Sequence, residues 1–327
     1  PRVREAISRK FMRDNGLAYK ADSIVVSTGA KQSLANVILS LVNPGDEVIL
    51  PAPFWVSYVE LIKVAGGVPV VLPTSIKDDY KIKPQESARA INDKTRMMIY
   101  SSPCNPSGSV YTKEETAALA DVLRQHDNVF TISDEIYELI NFTTKHASIA
   151  TEPGMMERVI TVNGVSKGFA MTGWRLGYIG APKWIADACT KIQGQFTSAP
   201  CSIAQAAAAT AVDSDPSISQ PMVEAFLRRR DLMHSSLSKV PGINLNIPMG
   251  AFYLFPDVSE LFGKSFNGKV IKNSDDVAMF LLEEAHVATV SGAAFGTPEC
   301  IRLSYAAADE ILEEAVRRID TAVGKLK

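Results

Sequence analysis

The chain has few of the residues that build disulfide frameworks or metal sites. It contains four cysteines and four histidines in 327 residues. No Cys-X-X-Cys pair occurs, and the histidines lack metal-ligand spacing, which excludes a disulfide-stapled scaffold and argues against a zinc site. We therefore expect no metal and reduced thiols in a cytoplasmic protein. The residues are Cys104, Cys189, Cys201, Cys300, His126, His146, His234 and His286.

Long apolar runs and an excess of one charge are also missing. No run approaches the roughly 20 apolar residues of a membrane span, and no signal-peptide pattern opens the chain. The net charge of −2 gives no electrostatic case for nucleic acid or an anionic membrane as partner. Pro1 directly precedes a helical pattern without a methionine, so we expect that natural residues come before it.

Short apolar stretches instead alternate with helical patterns. The stretches carry no polar alternation, which is typical of strands buried on both faces of a parallel sheet. Repeated strand–helix units predict an α/β fold with a doubly wound, mostly parallel seven-stranded sheet. The predicted strands lie in "SIVVS", "EVIL", "VPVVLP", "RMMIYSS", "NVFTIS", "RVITVNG" and "LGYIGAP", and "DEIYELI" is one of the predicted helices.

The pattern changes near one long predicted helix at about residues 216–240. After this helix the order becomes α+β, with strands predicted in "GAFYLFPDV", "VATVSG" and "CIRLSYA". We therefore expect a large domain at 1–225 and a smaller α+β C-terminal domain at 226–327, joined by the long helix.

Polar residues follow four of the predicted strands. Asp134 follows "NVFTIS", Asn105 follows "RMMIYSSPC" and Lys167 follows "RVITVNGVS". Gly29-Ala30-Lys31 follows "SIVVST" and opens a helix, whose free N–H groups suit a phosphate. Ligands of doubly wound sheets bind beyond the carboxyl ends of the strands, so these residues predict one shared site.

The combination of a lysine, an acid from another strand and a phosphate cradle suggests pyridoxal 5′-phosphate. That cofactor requires an amine for its Schiff base, an acid at its pyridine nitrogen and donors for its phosphate. The quoted residues can meet all three requirements.

Four motifs together carry a resemblance to a known family. With "SKGFAMTGWRLGY", "NPSG", "SDEIY" and "IRLSYA", the whole chain resembles the fold-type I, class I/II pyridoxal-phosphate-dependent aminotransferases, nearest the bacterial aspartate/prephenate aminotransferase branch. The resemblance implies ping-pong transfer of an amino group between an L-amino acid and a 2-oxo acid. It also implies a homodimer with shared active sites.

The same resemblance assigns roles to individual residues. Lys167 forms the Schiff base and moves a proton at the substrate Cα. Asp134 keeps the pyridine nitrogen protonated, while Tyr137 and Asn105 hydrogen-bond the ring oxygen. The phosphate is held by Gly29, by the amides of Ala30 and Lys31, by Ser166 and by Arg175. Trp55 stacks on the ring, and Arg302 binds the substrate α-carboxylate with Asn105. Cis peptide bonds are expected at Ala52–Pro53 and Asn105–Pro106.

Each assignment has a structural alternative. Lys167 could belong to an ordinary loop, and Asp134 could cap a helix in "EIYELI". Trp55 could be a core residue. Arg302 could pair with an acid of the last helix.

The substrates are less well defined by the sequence than the cofactor. Family members bind the distal carboxylate of aspartate with a basic group, and no residue between Lys167 and Arg302 suits this role. Aspartate or glutamate with 2-oxoglutarate is the expected pair, and prephenate is a further acceptor. The alternatives are a β-lyase of the same fold and an aminotransferase-like effector domain of a transcription regulator.

Overall fold

A central seven-stranded sheet organises the computed structural model, which describes residues 1–143 and 145–327. The strands are β1 (Ile24–Ser27), β2 (Glu47–Pro51), β3 (Val68–Leu72), β4 (Thr95–Ser101), β5 (Phe130–Asp134), β6 (Val159–Gly164) and β7 (Gly177–Gly180). Their order is β1-β7-β6-β5-β4-β2-β3. Only β7 runs antiparallel to its neighbours, so the predicted mostly parallel sheet is confirmed.

Helices cover both faces of this sheet, which explains why its strands are apolar throughout. Ile49 and Met98 belong to the core on one face, and Ile132 and Ile160 belong to the core on the other. The helices are α1 (Arg2–Lys10), α2 (Ala30–Leu41), α3 (Ser57–Val64), α4 (Pro84–Ala90), α5 (Lys113–Leu123), α6 (Lys183–Phe196) and α7 (Ser202–Asp213).

Helix α1 continues as a π-helical turn at Phe11–Asn15 and ends at Gly16. Gly16 has a φ of 71°, the left-handed conformation that commonly ends a helix. Val3, Ile7 and Phe11 are buried in the same core as Tyr178 of β7. The first helix is therefore an integral part of the sheet's packing.

The predicted helix in "DEIYELI" is wrong. Residues 135–140 form a series of turns, in which the amide of Glu138 donates to the carbonyl of Glu135 and that of Ile140 donates to the carbonyl of Tyr137. Glu135 and Glu138 bind buried partners on one side of the segment, while Tyr137 lies on the other. These tertiary contacts override the local helical pattern.

The C-terminal part forms small sheets of its own and contributes most of a second core. Helix α8 (Gln220–Leu237) precedes β8 (Tyr253–Leu254), β9 (Ser265–Phe266), β10 (Lys269–Val270), α9 (Ser274–Phe280), β11 (Val290–Ser291), β12 (Ile301–Ser304) and α10 (Asp309–Val323). One sheet has the order β11-β12-β8, and β9 pairs with β10. Phe226, Leu254 and Tyr305 belong to a core that also includes Tyr137. Among the described residues, no helix combines the length and apolar character needed to span a membrane.

Three X–Pro peptide bonds in the described residues are cis. The bonds at Ala52–Pro53 and Asn105–Pro106 confirm the expectation, and the bond at Ser102–Pro103 was not predicted.

Candidate active site

A cavity of about 330 Å³ opens at the carboxyl end of the sheet. It brings together all the predicted site residues except Gly29, which lies beside it against Arg175. The predicted residues at the cavity are Ala30, Lys31, Trp55, Asn105, Asp134, Tyr137, Ser166, Lys167, Arg175 and Arg302. Further lining residues are Leu34, Tyr58, Ser101, Ile136 and Tyr253.

Lys167 projects into this cavity from the loop after β6. Within residues 1–143 and 145–327 its ammonium has no ion-pair partner, and Nζ lies 5.8 Å from the Tyr137 ring centroid and 5.5 Å from that of Phe252. Burial lowers the pKa of Lys167, and the charges of Arg175 and Arg302 lower it further. A lysine in this setting can present a neutral, nucleophilic amine.

The first turn of α2 and Arg175 form a cationic cradle. Gly29 precedes the helix with a φ of 85°, and no side chain caps the helix N-terminus. Its first amides therefore remain available to an anion. The Arg175 guanidinium lies directly against Gly29, and the positive φ at this position favours glycine. Arg175 is held by its own Nη1, which donates to the carbonyl of Thr172 at 2.9 Å.

A second close approach brings the helix to the sheet. A Cβ at Gly177 of β7 would collide with the backbone of Gly29 and Ala30. Glycine at this position thus allows the N-terminus of α2 to lie directly against the strand that follows Arg175.

Asp134 is a buried carboxylate at the end of β5. The Tyr58 hydroxyl donates to its Oδ2 at 2.6 Å, and the Ile136 amide donates to its Oδ1 at 3.2 Å. Burial raises the pKa of Asp134 to about 6, although these two hydrogen bonds lower it in part. Asp134 caps no helix, because the residues after it form turns.

Two tyrosines at the cavity were missed by the sequence predictions. Tyr58 lies three residues after Trp55, its amide donates to the Trp55 carbonyl at 3.0 Å, and this short spacing was the available signal. Tyr253 shares a hydrogen bond of 2.9 Å with the Tyr137 hydroxyl. Burial raises the pKa of Tyr137, and the neighbouring Tyr253 adds to this effect. Nothing in the sequence around Tyr253 identified it.

Arg302 enters the cavity from β12 of the C-terminal sheet. Its Nη1 donates to Oδ1 of Asn105 at 2.8 Å. Its guanidinium lies 4.6 Å from the Tyr253 ring centroid and 4.9 Å from that of Phe295. These contacts hold the guanidinium without neutralising it, which leaves donors for a carboxylate.

The alternative in which Arg302 pairs with an acid of the last helix is wrong. Asp309 pairs with Arg228 and Arg229. Glu314 pairs instead with Arg317 and Arg318 within the last helix.

Trp55 both packs on the core and lines the cavity. Its ring stands edge-on to Tyr58, with centroids 5.6 Å apart, and Lys31 Nζ lies 5.0 Å from its centroid. The ring is therefore fixed beside the first turn of α2 and offers an aromatic surface to a ligand.

These residues fit pyridoxal 5′-phosphate. The Gly29–Arg175 cradle suits the phosphate, Asp134 suits the protonated ring nitrogen, and Lys167 supplies the amine. Lys31 and Arg302 add positive charge that the cofactor phosphate alone does not require. The donor set as a whole therefore suits the cofactor together with an anionic substrate.

The fold and this site define a class of protein. The profile of the family "Aminotransferase class I and II" matches residues 1–319. The chain belongs to this family and is a pyridoxal-phosphate-dependent aminotransferase.

Particular relatives are similar over nearly the whole chain. It is 46% identical to a bifunctional aspartate aminotransferase and glutamate/aspartate-prephenate aminotransferase of Petunia hybrida, over 99% of this chain and 69% of the relative. It is 45% identical to an aspartate/prephenate aminotransferase of Cereibacter sphaeroides, over 98% and 80% of the two chains.

A crystal structure of aspartate aminotransferase from Rhizobium meliloti superposes with a TM-score of 0.97. The two chains are 41% identical, and the match covers 100% of this chain and 82% of that one. A second structure, Thermus thermophilus aspartate aminotransferase with maleate, gives a TM-score of 0.91 at 38% identity over 98% and 81% of the chains.

Proposed function

We propose that the amino donor of this aminotransferase is aspartate or glutamate, and that 2-oxoglutarate is the usual acceptor. The observation that carries this proposal is the set of cations around the cavity. Lys31, Lys167, Arg175 and Arg302 all line it, and none forms an ion pair in the part of the chain that the structure describes. One acid, Asp134, lies among them. Such a site favours a cofactor phosphate and a dicarboxylate together.

The proposed roles follow from the chemistry of each side chain. Bound pyridoxal 5′-phosphate supplies an electron sink for the negative charge that develops at the substrate Cα. Lys167, with its lowered pKa, removes and returns the proton at that carbon. Asp134 holds the proton of the ring nitrogen, and Trp55 packs on the ring face. These roles all belong to side chains that meet at one cavity.

Further side chains orient the two ligands. Arg175, Ser166 and the first amides of α2 hold the phosphate, and Asn105 and Tyr137 hydrogen-bond the ring oxygen. Arg302 binds the substrate α-carboxylate as a planar fork, with Asn105 fixing its plane.

Lys31 is the proposed partner of the second substrate carboxylate. Its side chain is exposed at the cavity beside Trp55, while its backbone amide belongs to the phosphate cradle. Both aspartate and prephenate carry two carboxylates, which agrees with the names of the relatives and with the maleate in the Thermus thermophilus structure. Prephenate is therefore included as a further acceptor.

We expect Lys31→Met to lose the preference for acidic donors. A charge-assisted hydrogen bond contributes about 1.5–3 kcal/mol, so kcat/KM for aspartate should fall by roughly 10–150-fold. The value for an apolar donor such as alanine should change by less than about threefold, because the backbone amide that serves the phosphate is retained. Steady-state kinetics with both donors measure the ratio, and Lys191→Met is the control for loss of an exposed lysine. Equal losses for both donors would contradict this role for Lys31.

The reaction class itself is tested by the visible spectrum of the purified protein with pyridoxal 5′-phosphate. Aspartate added alone should remove the band of the bound cofactor, and 2-oxoglutarate should restore it. A β-lyase of the same fold would release pyruvate from a cysteine-type substrate with no oxo acid present. An effector domain of a transcription regulator would show no turnover with any donor.

We further propose the division into a large domain at 1–225 and a small domain at 226–327. The separate C-terminal sheets support it, as does a core made mostly of C-terminal residues, and the small domain carries Arg302. Arg302 of the small domain would then bind the substrate α-carboxylate, while the large domain would hold the cofactor and contribute Lys31 and Asn105 to the substrate. Four free cysteines support the expected cytoplasmic location.

We also propose a homodimer. Two large apolar side chains are exposed beside the loop that leads to Arg175: Trp174 is 45% exposed and Ile203 is 70% exposed. They line one shallow apolar depression with Ala170 and Cys201.

We expect Ile203→Glu to shift the protein from dimer to monomer, because a charge buried in an apolar interface lacks a partner. Sedimentation velocity of the wild type and the variant measures this shift, with Ile311→Glu, an exposed isoleucine of α10, as the control. A wild type that sediments only as a monomer at working concentration would contradict the dimer.

A further inference from the structure

A buried cluster of charged side chains lies behind the residues 134–138, here called the DEIYE segment. Asp134 and Tyr137 face the cavity, whereas Glu135 and Glu138 point to the protein interior. None of the roles described so far uses these two glutamates. Each carries a charge that is expensive to bury and needs close compensation.

Two hydroxyls hydrogen-bond Glu135, and His146 lies beside it. Its Oε1 accepts from the hydroxyls of Ser133 at 2.8 Å and Ser148 at 2.5 Å. Its Oε2 lies 3.0 Å from Nε2 of His146. Burial alone would lower the pKa of His146, but the charges of Glu135 and Glu138 outweigh burial and the pKa is raised. The nearby ammonium of Lys10 opposes this rise.

Glu138 is held by the first helix and the turn that follows it. Its Oε1 accepts a hydrogen bond from the ammonium of Lys10, and its Oε2 accepts from Nδ2 of Asn15 at 2.7 Å. Lys10 also donates to Oδ1 of Asn15 at 2.8 Å, and Asp14 lies 3.8 Å from it. Lys10 is only 1% exposed, so its ammonium and the glutamate form a buried ion pair.

The cluster resembles a metal site in composition but not in charge balance. Ligand atoms of Glu135, Glu138 and His146 lie within 4.8 Å of one another. The Lys10 ammonium already compensates Glu138, and His146 lies beside Glu135, so both glutamates already have a basic neighbour.

We propose that Lys10 and His146 are positioning residues of the amino-transfer reaction, which act through Glu138 and Glu135 to hold Asp134 and Tyr137 against the cavity. The inference rests on the proposed roles of Asp134 and Tyr137. Within the DEIYE segment, Asp134 and Tyr137 face the cavity, and each is followed by a glutamate that binds buried partners. A shift of either glutamate moves a cavity residue with it, because Glu135 directly follows Asp134 in the chain and Glu138 directly follows Tyr137.

A charge effect adds to this geometric one. Glu135 lies next to Asp134, and its negative charge raises the pKa of that acid. His146 Nε2 lies 3.0 Å from the carboxylate that exerts this effect, so replacing His146 should change the pH at which Asp134 titrates.

The first experiment is a double-mutant cycle on Lys10 and Glu138. We expect Lys10→Met to raise the dissociation constant of pyridoxal 5′-phosphate and to lower kcat, each by roughly 10–100-fold. The pH at which the visible band of the bound cofactor titrates should also shift. In the Glu138→Gln background the same Lys10→Met change should have less than about a threefold effect, since its partner charge is gone.

Arg9→Met is the matched control. It removes the same charge from the neighbouring position of α1, where the guanidinium pairs with exposed Asp213. This variant should bind the cofactor as the wild type does and titrate at the same pH. A merely structural role for Lys10 would lower the melting temperature and leave the titration of the band unchanged.

A second cycle keeps the inference testable if Lys10→Met does not fold. His146→Gln should show the same signature, and its effect should likewise shrink in the Glu135→Gln background. Additive effects in the folded cycles, or variants whose cofactor affinity and band titration match Arg9→Met, would overturn the inference. A wild type that shows no cofactor band would instead overturn the proposed roles of the cavity residues.

Discussion

Replacement of Lys167 by alanine is expected to abolish covalent attachment of the cofactor and to lower turnover by at least ~10³-fold, since the nucleophile and the proton-transfer group are lost together. Noncovalent binding should persist, because the cradle of Arg175 and the first turn of α2 is untouched. The variant should therefore still accumulate pyridoxal 5′-phosphate, although with weaker affinity.

Borohydride reduction followed by peptide mass spectrometry measures this effect directly. The wild type should carry one reduced adduct, on the peptide that contains Lys167. Lys191→Ala is the matched control, because it removes an exposed lysine from α6 outside the cavity. A trappable adduct that persists in the Lys167→Ala protein would show that another lysine is the nucleophile.

Asp134→Asn is expected to have two opposite effects. Turnover should fall by at least ~10²-fold, because a neutral amide cannot hold the cationic ring nitrogen. The cofactor-free protein should become more stable at pH 8. The pKa of Asp134 is raised to about 6 from an ordinary value of 3.8, so the ionised form is disfavoured in the folded state.

The sign of the pH dependence follows from this raised pKa. The stabilising contribution of a protonated Asp134 is complete below about pH 4 and is lost as the pH rises through about 6. At pH 8 the buried carboxylate costs roughly 3 kcal/mol, and the asparagine variant avoids this cost. Oδ1 of the asparagine can still accept from the Ile136 amide, and its Nδ2 can donate to the Tyr58 hydroxyl, which then acts as the acceptor.

Thermal unfolding of both cofactor-free proteins between pH 4 and pH 8 tests this expectation. The variant should melt at a higher temperature at pH 8, and the difference should vanish near pH 4. Asp187→Asn, at an exposed pair with Lys183, controls for loss of a carboxylate. A variant that is less stable than the wild type at pH 8 would rule out a destabilised carboxylate at Asp134.

Much of the sheet could be predicted because a strand that is buried on both faces is apolar at successive positions, and such a run is visible in the sequence. "RMMIYSS" and "RVITVNG" are apolar without alternation, and both form central strands. The failure at "DEIYELI" has the opposite cause. Its glutamates lie at helical spacing, which is typical of the exposed face of a helix. In the fold, Lys10 and Asn15, more than a hundred residues away in the chain, bind Glu138 in the interior, and the segment forms turns instead.

The site residues that lie at strand ends could also be predicted from the sequence. Asp134 and Lys167 follow recognisable strands, and the topology of a doubly wound sheet brings strand ends together. Tyr253 and the pairing of Arg302 with Asn105 were not accessible in this way. They depend on how the C-terminal sheet docks on the central one, and no local pattern encodes that contact.

The surplus of cations over acids at the cavity has a practical consequence for handling the protein. Without its ligands, the cationic pocket attracts anions. Inorganic phosphate or sulfate from a buffer should therefore compete with the cofactor phosphate for this pocket. The dissociation constant of pyridoxal 5′-phosphate should therefore be larger in phosphate buffer than in an amine buffer with chloride. The same anions should protect the cofactor-free protein against heat, since they relieve the mutual repulsion of its lysines and arginines.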